Sequence, residues 1–128
     1  MTMLPPYAAL LGLTLTSGED GAPMLTMPFG DGVLGRPGFL HGGAIAGLLE
    51  MAALATLRHA LGDGGVGIAP LTLTTDYRRG GRDALTQAAG TVTRLGTRIA
   101  HVEAAAWQDD RTRPIATAQT SWLLTRPA

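Results

Sequence analysis

The stretch HGGAIAGLLEMAALATL, residues 41–57, decides how the rest of the sequence is interpreted. After its two glycines it is almost wholly apolar and is rich in Ala, Leu and Met, which are strong helix formers. It predicts a buried helix from about Gly43 to Leu61, ended by the Gly-Asp-Gly-Gly that follows. Glu50 interrupts this apolar run, and a buried carboxylate without a partner is costly. A functional site or an interface would account for it; pairing with an arginine such as Arg58 is the structural alternative.

Strands are predicted on both sides of this helix. The preceding residues predict a short helix at 5–11 and strands at 13–17 and 22–28, followed by a Gly- and Pro-rich loop. The following residues predict four strands, at 71–79, 84–95, 98–108 and 114–124. The last two breaks have hairpin length, so neighbouring strands should be antiparallel. This order predicts an α+β fold in which one long helix lies across a sheet face.

Length and composition exclude several classes of protein. The 128 residues suit one domain, and the absence of cysteine excludes a disulfide framework and a thiol nucleophile. Ten arginines balance ten acidic residues, so no excess positive charge favours nucleic acid. The chain start lacks the basic segment of a signal peptide, and the apolar run 44–57 is too short for a membrane span. We therefore expect a cytoplasmic protein with neither nucleic-acid nor membrane partners.

Two common hydrolytic designs are also poorly supported. The three histidines, His41, His59 and His101, lack the spacing of metal ligands, so no catalytic metal is expected. The two serines, Ser17 and Ser121, do not lie in a Gly-X-Ser-X-Gly motif, which argues against a serine triad.

The predicted start of the helix supplies the other half of a possible site. Gly42 and Gly43 leave backbone N–H groups uncrowded at a helix N-terminus, where an anion or a polarised carbonyl oxygen is stabilised. His41 could cap the helix, orient a ligand or donate a hydrogen bond to it, and a purely structural histidine is the alternative. Together, residues 41–43 and Glu50 form the candidate site.

This motif, with an acid seven residues after HGG, resembles the central helix of the hotdog-fold thioesterases. It is most similar to the PaaI-type branch, which includes phenylacetate-pathway and 4-hydroxybenzoyl-CoA thioesterases. The strands that follow also resemble this family, so the resemblance covers about residues 11–124. It implies one hotdog domain over 1–128, about six antiparallel strands around a central helix, and hydrolysis of an acyl-CoA thioester. The coenzyme A of the substrate is the only cofactor group implied.

The resemblance also assigns roles to residues, and shows two departures. Gly42 matches the family's backbone donor to the thioester carbonyl, and Glu50 matches the acid that activates water or attacks directly. Six residues before His41 the family commonly has Asn or Gln, whereas this chain has Gly35; some members carry a hydroxyl where Leu54 stands. The alternatives are therefore a hotdog protein that binds acyl-CoA or another hydrophobic ligand without hydrolysis, and a purely structural dimer.

Helix geometry predicts an assembly. From Gly42 to Glu50 a helix rises about 12 Å and ends about 80° out of phase, so one thioester cannot contact both groups of the same helix. If both act on one carbonyl, the acid must come from a second helix running the opposite way, as in a two-fold dimer. The family resemblance agrees, because its sites lie at a subunit interface. We expect a homodimer, or a homotetramer built as a dimer of dimers.

Coenzyme A carries phosphates, which arginine binds well through paired donors. The candidates are Arg78, Arg79 and Arg98, followed by Arg82 and Arg94; the alternative is a solvated strand edge that discourages aggregation. Gly43 is a further candidate for substrate binding. The acyl pocket could be lined by Leu54, Leu57, Phe39 and Met51, which favours aryl or medium-chain acyl groups, although ordinary core packing is the alternative for each.

Overall fold

The structure is a computed structural model that describes residues 4–18 and 20–128. The predicted α+β order is confirmed, with one long helix between two groups of strands. A turn of 3-10 helix at Asp31–Val33 interrupts the predicted loop. The remaining elements are α1 (Pro6–Leu10), β1 (Thr14–Ser17), β2 (Pro23–Met27), α2 (Gly42–Leu61), β3 (Gly67–Tyr77), β4 (Thr86–Leu95), β5 (Ile99–Trp107) and β6 (Ala116–Thr125).

The six strands form one antiparallel sheet in the order β1-β2-β4-β5-β6-β3. The two predicted hairpins, β4-β5 and β5-β6, are confirmed. β3 pairs with β6 instead of with β4, the next strand in the chain, and therefore lies at an edge of the sheet. Pro70 lies within β3, and a proline is tolerated there because an edge strand needs fewer ladder donors.

Helix α2 forms the centre of the core, which is the hotdog arrangement. Its side chains are buried from Met51 to Leu57, and Leu48 and Leu49 are fully buried. The facing strands alternate, with the even-numbered residues of β6 buried beneath the helix. By length and composition α2 could cross a membrane, but 67% of its most apolar window is buried within the protein, as expected of a core helix.

Gly90 allows α2 to lie close to β4. A Cβ atom built at Gly90 would lie 2.7 Å from Thr56 Oγ1 and 3.2 Å from the carbonyl oxygen of Glu103. Thr56 Oγ1 is buried and has no hydrogen-bond partner in the described part of the chain, so it packs against the strand as a van der Waals contact. A larger residue at position 90 must push the helix and the sheet apart.

We predict that Gly90→Ala lowers the free energy of unfolding by about 1–3 kcal/mol, the usual cost of overpacking a core. In a Thr56→Ala background the same change should cost less, because the nearest clashing atom is gone. Denaturant unfolding of the four proteins measures both effects. Gly64→Ala is the matched control, since a Cβ at Gly64 meets nothing within 4 Å. An equal cost in both backgrounds would show that the contact with Thr56 is not the cause.

Candidate active site

The first turn of α2 exposes a single free amide. His41 is the N-cap residue, with an extended backbone, and its Nδ1 accepts a hydrogen bond of 2.9 Å from the Gly43 N–H. This acceptor role places the proton of a neutral ring on Nε2. The carbonyl of His41 accepts from the next two amides, those of Ala44 and Ile45. Within the described residues, the N–H of Gly42 has no acceptor, so it remains available to a ligand.

Positions 42 and 43 are glycine for different structural reasons. A Cβ at Gly43 would lie 2.9 Å from His41 Nδ1, so the absence of a side chain there allows the histidine cap to form. A Cβ at Gly42 would lie 3.5 Å from the ring of Tyr77, which is ordinary contact. In this arrangement the cap occupies the Gly43 N–H, one of the predicted substrate donors, and Gly42 keeps its N–H free.

Tyr77, which the sequence analysis did not single out, lies directly beside this amide. Its hydroxyl donates a hydrogen bond of 2.7 Å to the carbonyl oxygen of Gly42. The ring packs over the glycine, yet 54% of the residue is exposed. Tyr77 thus fixes the start of α2 against the end of β3.

Glu50 lies on the one stripe of α2 that the sheet leaves uncovered. Gly43, Ala46 and Glu50 follow one another at helical spacing, and all three are at least partly exposed. The carboxylate borders a cavity of about 270 Å³ beside β3, and it is the only charged group in the cavity lining. The rest of the lining is Pro70, Leu71, Thr72, Leu73, Thr120 and Trp122. The carboxylate is therefore not buried in the core, and it is not hydrogen-bonded to Arg58.

Gly42 and Glu50 do not meet within one subunit. Since α2 is continuous from Gly42 to Leu61, the separation of about 12 Å expected along a helix applies. The two groups also lie beside different parts of β3: Gly42 lies beneath Tyr77, and Glu50 lies beside the segment 70–73.

The positions of the two departures from the family pattern are now defined. A Cβ at Gly35 would lie 3.0 Å from His41 Cα, so an Asn or Gln side chain does not fit there without a shift of the backbone. Leu54 lies one turn beyond Glu50 and is buried in the core. Met51 and Leu57 are also buried there. The apolar lining of the cavity beside Glu50 comes instead from β3 and β6.

The three leading arginine candidates lie at opposite ends of β6. The amides of Arg78 and Arg79 donate to the carbonyl of Ile115, just before the strand. The carbonyl of Arg98 accepts from Leu124, nine residues farther along. At about 3.3 Å per residue this is a separation on the order of 25–30 Å. One subunit therefore does not bring these three arginines together.

Arg78 and Arg79 have further neighbours of their own. Arg78 Nε donates to Thr117 Oγ1 at 3.4 Å. Arg79 lies near Asp110, whose pKa is lowered mainly by hydrogen bonds from Thr112 and further by the charges of Arg113 and Arg79.

Comparison with known proteins agrees with this fold. A Chromobacterium violaceum protein of known structure is 35% identical over 94% of this chain and 83% of its own, with a TM-score of 0.78. A Bacillus halodurans protein solved with CoA is 23% identical over 98% of this chain and 82% of its own, with a TM-score of 0.85. A phenylacetic acid degradation-related protein of Ralstonia eutropha is 22% identical over 95% and 92%, with a TM-score of 0.79. The last two identities establish similarity of fold alone.

The sequence profile of the thioesterase superfamily matches residues 37–115. No curated protein matches the sequence. The matched region contains the His41 cap, the free amide of Gly42 and the carboxylate of Glu50, and it extends over more than half of the chain. The chain therefore belongs to the thioesterase superfamily.

Proposed function

We propose that the protein is an acyl-CoA thioesterase that hydrolyses aryl or medium-chain acyl-CoA at a site shared between two subunits. The observation that carries this proposal is the free N–H of Gly42 at the start of a buried helix whose uncovered stripe presents Glu50. The amide can stabilise the oxyanion that forms from a thioester carbonyl. The carboxylate can act as a base or as a nucleophile. Since one helix keeps the two apart, the second group comes from a partner subunit.

The edge strand β3 supports a dimer. It is 11 residues long and exposed along almost its whole length, including the apolar side chains of Leu71 and Leu73. A long, apolar edge strand with unpaired backbone groups tends to pair with another chain. Pairing β3 with β3 of a second copy around a two-fold axis would satisfy these groups and continue the sheet across both subunits.

The register of this pairing follows from the two halves of the site. Gly42 lies beneath Tyr77, whereas Glu50 lies beside the segment 70–73. In an antiparallel two-fold pair, residues equally far from the axis lie opposite each other. An axis at Thr74 brings Tyr77 opposite Leu71 of the partner subunit, and so brings the Gly42 amide towards Glu50 of the partner subunit. The proposed site thus specifies the interface.

The reaction at this site has two possible courses. With Glu50 as base, its carboxylate takes a proton from water while the water oxygen bonds to the carbonyl carbon. The resulting tetrahedral oxyanion accepts a hydrogen bond from Gly42, then collapses with cleavage of the C–S bond, and the proton passes from Glu50 to the leaving sulfur. With Glu50 as nucleophile, a carboxylate oxygen displaces the thiolate to give an anhydride, which water hydrolyses. Both courses use the same two protein groups.

The lining of the proposed site suits its substrate. Leu71, Leu73 and Trp122 give an apolar surface beside Glu50, which favours an aryl or medium-chain acyl group. In the same two-fold dimer, Arg98 of the partner subunit lies towards the end of β3 that carries Arg78 and Arg79. The Bacillus halodurans protein of the same fold was solved with CoA, which supports CoA as the thiol part of the proposed substrate.

A non-catalytic acyl-CoA-binding protein is the second candidate. It is favoured by Gly35, where an Asn or Gln side chain fits only with a shift of the backbone, and by the apolar Leu54 beyond Glu50. Each leaves the carboxylate or its water without a side-chain partner that the family often supplies. Titration with acyl-CoA together with a thiol reagent separates the two candidates, since tight binding without thiol release identifies the non-catalytic protein.

We predict that Glu50→Gln lowers kcat by at least about a hundredfold, the usual contribution of a general base, while the fold is retained. The measurement is thiol release from a panel of aryl and aliphatic acyl-CoA esters. Glu103→Gln is the matched control, because Glu103 is an exposed glutamate on β5 and lies outside the proposed site. Near wild-type turnover by the Glu50 variant would exclude it as the catalytic acid.

We also predict that Arg79→Ala and Arg98→Ala each raise KM for acyl-CoA about tenfold, since hydrogen bonds between charged groups contribute about 1.5–3 kcal/mol. A short thioester that lacks the nucleotide is the internal control, and its KM should not change. Steady-state kinetics on both substrates gives the comparison. Equal increases for the two substrates would assign these arginines to structure instead of to CoA binding.

A further inference from the structure

Two arginines share one aromatic ring near the start of α2. The guanidinium carbon of Arg36 lies 4.0 Å from the centre of the Phe39 ring, and that of Arg82 lies 4.4 Å from it. The ring attracts each cation through its quadrupole. The two distances place the guanidinium carbons at most 8.4 Å apart, close enough for their like charges to repel. Neither guanidinium is paired with a carboxylate of the described residues. A bound anion would therefore relieve the repulsion and stabilise this arrangement.

The first arginine is positioned by a tight turn. Phe39 N–H donates to the carbonyl oxygen of Arg36 at 3.0 Å, and Gly38 has a φ of +80°. With Pro37 at the second position and Gly38 at the third, this is the pattern of a type II turn. The turn holds its first and last residues next to each other, which places Arg36 against the ring of Phe39.

The second arginine reaches the ring from the segment after β3. Phe39 and Arg82 form an isolated β-bridge, and Leu40 N–H donates to the carbonyl of Gly81 at 2.9 Å. The side-chain amide of Gln108 accepts from Arg82 N–H at 2.9 Å and donates to its carbonyl at 3.0 Å. Hydrogen bonds from Leu40 and with Gln108 thus hold the backbone of residues 81 and 82 in place.

Gly80 and Gly81 allow this segment to lie flat against the ring. A Cβ at Gly80 would lie 2.8 Å from the Phe39 ring, and one at Gly81 would lie 2.7 Å from Leu40. The glycine pair is therefore explained by close packing against residues 39 and 40, and not by an open turn. Together these contacts pre-organise the two arginines around Phe39.

We propose that Arg36 and Arg82, held on Phe39, bind a phosphate group of the CoA nucleotide. This proposal rests on the proposed function for the identity of the ligand. Phe39 precedes Gly42 by three residues, so the two lie within about 10 Å along the chain, and the pantetheine arm can bridge from the carbonyl at Gly42 to the arginines. Two guanidinium groups on one ring offer a phosphate several N–H donors in fixed directions.

Calorimetric titration of the protein tests this site directly. The ligands are CoA, 3′-dephospho-CoA and pantetheine, and the variants are Arg36→Gln, Arg82→Gln and the double variant. Each single change should raise the Kd for CoA about tenfold and leave pantetheine binding unchanged. The double variant should show less than the product of the single effects, because both groups contact one phosphate. Arg111→Gln is the matched control, since Arg111 lies 4.6 Å from the ring of Trp107, outside this site, and its loss should not change Kd.

The three ligands also identify the phosphate. If the arginine effects persist with 3′-dephospho-CoA, the pyrophosphate is bound; if they disappear, the 3′-phosphate is bound. A Kd for CoA within about twofold of wild type in both single variants and the double variant would overturn the site, as would equal weakening of pantetheine binding, or a wild-type protein that does not bind CoA.

Thiol release from acyl-CoA, measured on the same preparations, separates this proposal from the proposed function. A wild-type protein that binds CoA through the two arginines without hydrolysing its esters would refute the thioesterase and leave the phosphate site intact. A wild-type protein that hydrolyses acyl-CoA while the arginine variants bind CoA normally would refute the phosphate site alone.

Discussion

The distance of about 12 Å between Gly42 and Glu50 along α2 is the constraint on which the proposed site depends. A helix N-terminus provides a fixed positive dipole and a free amide, whereas the carboxylate lies two turns farther along the helix and out of phase with it. The rigidity of a continuous, buried helix prevents the two from approaching each other. In the proposed site, one helix therefore carries half of each of two sites, and each site is complete only when a second helix runs the opposite way.

The packing of the sheet leaves one side of the molecule open for the proposed partner subunit. β1, β2, β4, β5 and β6 pair in succession, while β3 lies beyond β6 at the edge, exposed along almost its whole length. Glu50 escapes burial because the stripe of α2 that carries it lies beside this open edge. The same edge carries Tyr77, which is hydrogen-bonded to the Gly42 carbonyl, and the apolar lining formed by Leu71 and Leu73. A strand with one open edge, an uncovered helix stripe and an amide that has no acceptor among the described residues thus occur on one side of the molecule.

The pattern of apolar residues predicted the helix, the strands and the two hairpins well, because the side chains that an element buries are visible in its local sequence. The edge position of β3 was not predicted, since strand order depends on contacts between distant residues; Pro70 was the available signal. His41 was weighed as a cap, and the structure shows that cap on Gly43. Tyr77 was not recognised as part of a site, and Phe39 was predicted only as a lining residue of the acyl pocket, because their observed contacts come from side chains that meet across loops. For the same reason, the sequence did not reveal that Arg98 lies at the opposite end of β6 from Arg78 and Arg79.

Mixed dimers test the shared site most directly. Gly42→Pro removes the N–H and should keep the helix, because proline suits the first position of a helix and His41 is already extended. Gly42→Ala adds a side chain but keeps the N–H, and should remain active. Gly42→Pro and Glu50→Ala proteins, each inactive alone, are unfolded, mixed and refolded together. One site of each heterodimer then carries both defects and the other carries neither, so random pairing should restore up to about a quarter of wild-type activity. A mixture that stays inactive while mass measurements confirm heterodimers would contradict the shared site.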